Sequence, residues 1–233
     1  YYPFTGVEGT APGTDGKITA NTRPANQQAG KQPLIDFLWD SKTGVGKKDF
    51  SASNPNVNFV FSHQMCKLTF TFLDTPSTDL KYNVEVKDIT AYELLGLGFD
   101  GTFDTATGVC SINDPEANDS IKFEGLKGTV QHNVELPSII MFPQKPGNDK
   151  VKLRLYLDEL NNESQLQTYT CSLTFGDGEL KPGYSYKYTI KVTKVGLIVG
   201  QMSIEDWNLD RDVRLTATID GAFDFTDGGS GNN

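Results

Sequence analysis

The chain has 233 residues, 21 Lys and Arg against 30 Asp and Glu, and a net charge of −9. That length supports a core without staples, and the acidic balance disfavours nucleic acid and anionic membrane surfaces as partners. Cys66, Cys110 and Cys171, odd in number and without a Cys-x-x-Cys spacing, indicate neither a disulfide framework nor a zinc site, and no apolar run approaches the ~20 residues that span a bilayer.

Tyr1 to Gln32 is rich in Gly, Pro, Thr, Asn and Gln and reads as loop. The opening Tyr1-Tyr2-Pro3-Phe4, with no signal peptide ahead of it, reads as the start of a mature or truncated product. In Leu34-Ile35-Asp36-Phe37-Leu38-Trp39 the apolar residues 34, 35, 38 and 39 predict a short helical turn plugging a core edge. Ser41 to Asn56 is loop.

Strands follow. Phe59 and Phe61 are apolar at odd numbers, and Cys66, Leu68, Phe70 and Phe72 at even numbers. Strand side chains alternate, so a change of phase near Gln64-Met65 requires a bulge, or a bend that passes the strand between two sheets. Tyr82, Val84 and Val86 alternate again, and Gly96, Gly98 and Gly101 within Leu94 to Phe103 predict a turn and a hairpin.

Val134 to Phe142 is almost wholly apolar, the pattern of a segment buried on both faces. Strict alternation then marks Val151 to Leu157, Tyr169 to Phe175, Tyr184 to Val192 and Val213 to Ile219, with a Lys181-Pro182-Gly183 turn before the third. Strands with polar outer faces and short turns predict an all-β, antiparallel sandwich.

The residues of chemistry are few. His63, inside a strand at the phase change, reads as a hydrogen-bonded structural histidine, and His132 as a solvated turn residue. Asp114, Glu116 and Asp119 read as a solvated acidic loop, because the EF-hand glycine and terminal glutamate are missing. Tyr184, Tyr186 and Tyr188 share the phase of Ile190 and Val192 and are expected to face the core rather than stack on sugar rings; Trp39 and Trp207 sit beside buried-looking residues. The pattern gives no catalytic, cofactor or metal site.

Several words recur in a telling order: Phe61-Ser62-His63 leading to Leu68, Val86-Lys87-Asp88-Ile89 leading to Gly101-Thr102-Phe103, Met141-Phe142-Pro143-Gln144, Pro182-Gly183-Tyr184-Ser185-Tyr186, and Ile204-Glu205-Asp206-Trp207. With Tyr1-Tyr2-Pro3-Phe4 and Asp36-Phe37-Leu38 upstream, the set resembles the fimbrillin family of Bacteroides-type bacteria over residues 1 to 207. The resemblance implies two tandem transthyretin-like antiparallel β-sandwich domains, 1–78 and 79–233. The first is expected to be incomplete, because family members carry roughly a hundred further residues, starting at a lipid-modified cysteine, before the Tyr-Tyr-Pro word. It further implies a fimbrium or outer-membrane location, no enzyme activity, and partners that are other copies or pilus subunits, with a host protein or glycan as a further class.

Past Trp207 the period-two run Val213, Leu215, Ala217, Ile219 continues into Phe223 and Phe225. That pattern needs an apolar surface to face. Two readings stand: a last strand of the chain's own second sandwich, or a donor strand (211–226) that lies in the groove of the next subunit. The alternative to a fimbrial subunit is a monomeric carbohydrate-binding or adhesin lipoprotein.

Overall fold

A computed structural model describes residues 16–40, 56–73, 89–125, 134–146, 150–157, 167–193, 196–210 and 214–218. Among them the chain is all β, with only short 3-10 turns at Pro24–Asn26, Gln32–Leu34 and Trp207–Asp210. The strands are β1 (Lys17–Asn21), β2 (Leu38–Trp39), β3 (Asn56–Val60), β4 (Ser62–His63), β5 (Cys66–Leu73), β6 (Ile89–Leu97), β7 (Asp100–Asp104) and β8 (Cys110–Ile112). They continue with β9 (Asp119–Glu124), β10 (Val134–Glu135), β11 (Ile139–Met141), β12 (Lys152–Leu157), β13 (Gln167–Ser172), β14 (Tyr184–Thr193), β15 (Gly196–Asp206) and β16 (Arg214–Thr218).

Two sheets enclose the larger core. One runs β10 and β11, then β5, β14 and β15; the other runs β13-β12-β6-β9. Their inward residues are the alternating ones: Leu68, Phe70 and Phe72 from β5, Leu153, Leu155 and Leu157 from β12, and Tyr186, Tyr188 and Ile190 from β14. The buried phenols are satisfied, Tyr188 donating to Thr174 O at 2.6 Å and Tyr186 to Glu179 O at 3.0 Å. Tyr184 shares their phase but is 38% exposed, because the core ends one residue pair earlier.

Among the described residues the strand pairs are antiparallel with one exception: β5 and β14 run parallel from Ser185↔Lys67 to Lys191↔Leu73. A parallel pair needs a long connection, and here most of the sandwich intervenes. This pair also joins the expected first interval to the second. β5 is hydrogen-bonded to β10, β11 and β14, while β7 pairs with β1, and on its other edge with β8, in a separate sheet. Pairing therefore crosses residue 78 in both directions.

The smaller core holds Ile18, Ile35, Phe37, Met65, Phe103, Cys110, Ile140 and Phe142, with Phe37 and Phe103 stacked at 4.7 Å. The expected helical turn at 34–39 is absent. Ile35 and Phe37 point inward, Leu34 is 41% exposed, and Leu38–Trp39 pairs as a strand with β4. Pro33 supports only the 3-10 turn before them, so extended period-two geometry takes over.

Two sequence features place the seam between the cores. Adjacent Met65 and Cys66 are each fully buried, Met65 in the smaller core and Cys66 in the larger. This is the expected bend at the phase change. Likewise Ile139 and Met141 face the larger core, and Ile140 and Phe142 the smaller, so β11 is buried on both faces as its composition predicts. Cys66 and Cys110 are buried free thiols and Cys171 is half-buried.

On the outer face of the second sheet, Glu93 accepts from Tyr156 Oη at 2.6 Å and Arg154 Nη1 at 3.0 Å. Burial opposes its ionisation, but hydrogen bonds from Tyr156 and Ser120 and the charge of Arg154 outweigh it, holding the carboxyl below its ordinary range. A depressed carboxylate adds stability above its unfolded pKa, and that stability is lost as pH falls through the folded value. Glu93→Gln is therefore expected to lower the urea midpoint at pH 7 by the equivalent of roughly 1–3 kcal/mol. The gap from the parent should close as pH drops below the ordinary carboxylate range. A gap that does not change with pH would show that the charge contributes nothing.

Candidate assembly surface

The candidate donor segment contributes one described strand, β16. β16 pairs antiparallel with β3, from Arg214↔Val60 to Thr218↔Asn56, and the two strands form a two-stranded sheet of their own. Among the described residues it pairs in neither sheet of the larger core. Leu215 and Ala217 lie in β16, in register with Phe59 and Val57. Val213, Ile219, Phe223 and Phe225 lie outside the described residues, as do His132 and Tyr82 to Val86. β3 ends at Val60, which is 70% exposed and whose N–H donates to Asp40 Oδ2 at 2.6 Å.

Widely separated words of the sequence meet in the structure. The His63 ring stacks on Trp207 with centroids 3.7 Å apart, and its Nδ1 lies 2.8 Å from Asp36 Oδ1. The structural role expected of His63 is thus seen directly. Gly183, at φ +77°, donates its N–H to Met65 O at 2.8 Å and accepts from Trp207 N–H at 2.7 Å. Gln144 holds Gly98 by both of its side-chain ends, accepting from Gly98 N–H at 2.8 Å and donating to Gly98 O at 3.0 Å. Gly101 leaves no room for a side chain: a Cβ there would stand 2.4 Å from Ser111 O and 2.8 Å from the Phe142 ring.

The acidic loop uses its own carboxylates. Asp114 Oδ1 accepts from Glu116 N–H at 3.0 Å, and Asp119 pairs with Arg23 at 2.9 Å. The Ser120 N–H, then Arg23, hold Asp119 below the usual carboxylate range despite partial burial. Asp104, in the β7–β8 turn, is lowered by the N–H groups of Thr107 and Ala106.

Of the aromatics considered for sugar stacking, Tyr186, Tyr188, Trp39 and Trp207 are engaged, and Tyr184 is exposed. Trp39 packs so closely on Gly108 that a Cβ there would lie 2.3 Å from its ring, and Trp207 lies under His63. A cleft of about 390 Å³ opens elsewhere, between β9 and the β10–β11 edge, over Tyr92, Phe123, Leu136 and Ile139. Sequence reasoning missed it, because it arises where the edges of two sheets stand apart.

The sequence profile described as fimbrillin-like matches residues 1–207. The chain belongs to the fimbrillin-like family.

No curated protein matches it. Among solved structures, a candidate cell adhesion protein from Bacteroides ovatus ATCC 8483 is 30% identical with a TM-score of 0.66, and the alignment covers 88% of this chain and 66% of that one. A candidate cell adhesion protein from Bacteroides uniformis ATCC 8492 is 19% identical with a TM-score of 0.64, over 89% of this chain and 71% of that one. The tip fimbrial protein Mfa3 from Porphyromonas gingivalis, with a C-terminal truncation, is 11% identical with a TM-score of 0.40, over 82% and 79%. The fimbrillin-like chain thus spans just under two thirds of the length of the Bacteroides ovatus protein. Among its described residues no helix is long and apolar enough to cross a membrane.

Proposed function

We propose that this chain is a structural and adhesive subunit of a bacterial surface fimbria, held at the cell surface or outer membrane, that joins other copies or pilus subunits by β-strand exchange. The reading is non-enzymatic. Family membership over residues 1–207 supports the fimbrial role, and the likeness to a candidate adhesion protein supports the surface location.

The observation that carries strand exchange is the isolated β16–β3 ribbon. Two-stranded sheets are marginal in water, and β3 is the only pairing partner β16 has among the described residues. In the sequence the period-two run extends from Val213 to Ile219. A strand with a short, two-stranded hold on its own chain costs little to transfer. In a neighbour's groove its backbone would complete a ladder, and alternate side chains would fill pockets.

The test is a chain ending at Leu209. It is expected to stay folded by near-UV circular dichroism, and to form no filaments in negative-stain images under conditions where the full chain does. Normal filaments from the shortened chain would rule out donation by this segment. Loss of folding would return β16 to a purely internal role.

A further inference from the structure

Immediately after the long strand β15, the chain is fastened at one point from three directions. From the β14 side, Gly183 O accepts Trp207 N–H at 2.7 Å, and Asn208 Nδ2 lies 3.5 Å from the same oxygen. From the β4 side, His63 N–H donates to Asn208 Oδ1 at 2.7 Å, and the His63 ring covers Trp207 at an interplanar angle of 7°. From β5, Lys67 Nζ stands 4.7 Å above the Trp207 ring. Asp36 steadies the His63 ring through Nδ1, in a pair whose side chains are only 17–19% exposed.

The close approach depends on a glycine. A Cβ on Gly183 would stand 2.5 Å from Asn208 Nδ2, and its positive φ is one that other residues rarely adopt. The fastening separates two kinds of structure. Upstream, β15 is laddered to β14 as far as Tyr184↔Asp206. Downstream, β16 pairs with β3 alone among the described residues.

We infer that Trp207, Asn208 and His63 form a clasp that ends the folded body of the protein and positions the C-terminal segment. β16 can then leave β3 without disturbing β14, β15 or either core. The clasp makes the strands of the two cores one cooperative unit and β16 another, of lower stability. This holds whether or not the tail is exchanged between copies, so it stands or falls separately from the proposed assembly.

Backbone hydrogen exchange on the full chain and its variants reads the clasp directly. In the chain ending at Leu209, the amides of His63, Gly183 and Trp207 are expected to exchange within about twofold of their full-chain rates, since their acceptors are all retained. In full-length Trp207→Ala, the β16 amides are expected to exchange roughly tenfold faster while those of β5 and β14 are unchanged. Asn208→Ala reads the same quantity without removing a large ring, and a smaller acceleration of β16 and of His63 N–H is expected. Release of the His63, Gly183 and Trp207 amides on truncation would overturn the inference, because the tail would then be holding the clasp. So would unchanged β16 exchange in both variants, or loss of protection in β5 and β14.

Discussion

Phe103→Ala is expected to destabilise the protein by roughly 3–5 kcal/mol, the range for removing a buried phenylalanine. Phe103 is fully buried and stacks on Phe37 at 4.7 Å and 8°. Among the described residues the smaller core has eight buried members, so one lost ring removes a large share of their contacts. Those members come from β1, β7, β8 and β11 and from the segments around β2 and β4, which this core packs together. The cavity should therefore loosen β1 and β2 together. Urea denaturation gives the loss, and hydrogen exchange at Ile18 and Phe37 locates it. Val109→Ala is the control: Val109 is 56% exposed, and surface changes usually stay within about 0.5 kcal/mol. Similar losses for the two variants would mean that the smaller cluster is not an independent source of stability.

Much of this fold is legible in alternation. Leu153, Leu155 and Leu157, and Tyr186, Tyr188 and Ile190, are buried where period two puts them. The seam is legible too, because a phase change near Gln64-Met65 and four consecutive buried residues from Ile139 to Phe142 each require apolar surface on both sides. Partner choice is not legible. Nothing within β5 tells that its neighbour is the parallel β14, since the pairing joins residues more than a hundred positions apart. Short apolar runs mislead for a related reason. Leu34 to Trp39 fits a helical face as well as a strand, and the decision came from β4 and the smaller core, which the local sequence does not contain. The tail shows the same limit. Its alternation marks a strand, but only pairing shows that β16 lies on β3 rather than in the larger sandwich.

The family words are legible as words, and their physical content emerges from the structure. His63 and Trp207 are 144 residues apart and in ring contact. Pro182-Gly183 supplies both the turn into β14 and the carbonyl that receives Trp207 N–H. Gly101 permits the approach of β8 and of the Phe142 ring. These residues occupy the junction where two cores and the C-terminal segment meet.

Gln144 tests the fold with the sharpest chemistry available. Its side chain is buried, holds Gly98 at both ends and also donates to Phe142 O at 3.2 Å, while its backbone exchanges hydrogen bonds with Leu180. Gln144→Ala would leave the buried Gly98 N–H and C=O unpaired, each costing about 1–3 kcal/mol, or roughly 3 kcal/mol together. That deficit should not vary with pH. Gln144→Glu has nearly the same shape but a different inventory of protons. Neutral, the introduced carboxyl still accepts from Gly98 N–H and donates one hydrogen bond to Gly98 O or Phe142 O; ionised, it can only accept, and it then faces two carbonyl oxygens. Burial and those carbonyls raise its folded pKa above the unfolded value. A raised carboxyl keeps its stability below the unfolded pKa and loses it as pH rises through the folded one. The deficit of Gln144→Glu relative to the parent is therefore expected to be small near pH 4. Above that it should grow with pH at up to about 1.4 kcal/mol per unit, the limit for one proton. Urea midpoints of both variants and the parent across pH 4 to 8 decide it. A Gln144→Glu deficit as flat as that of Gln144→Ala would mean that the donor end of Gln144 contributes nothing, and that the Gly98 carbonyl is satisfied in some other way.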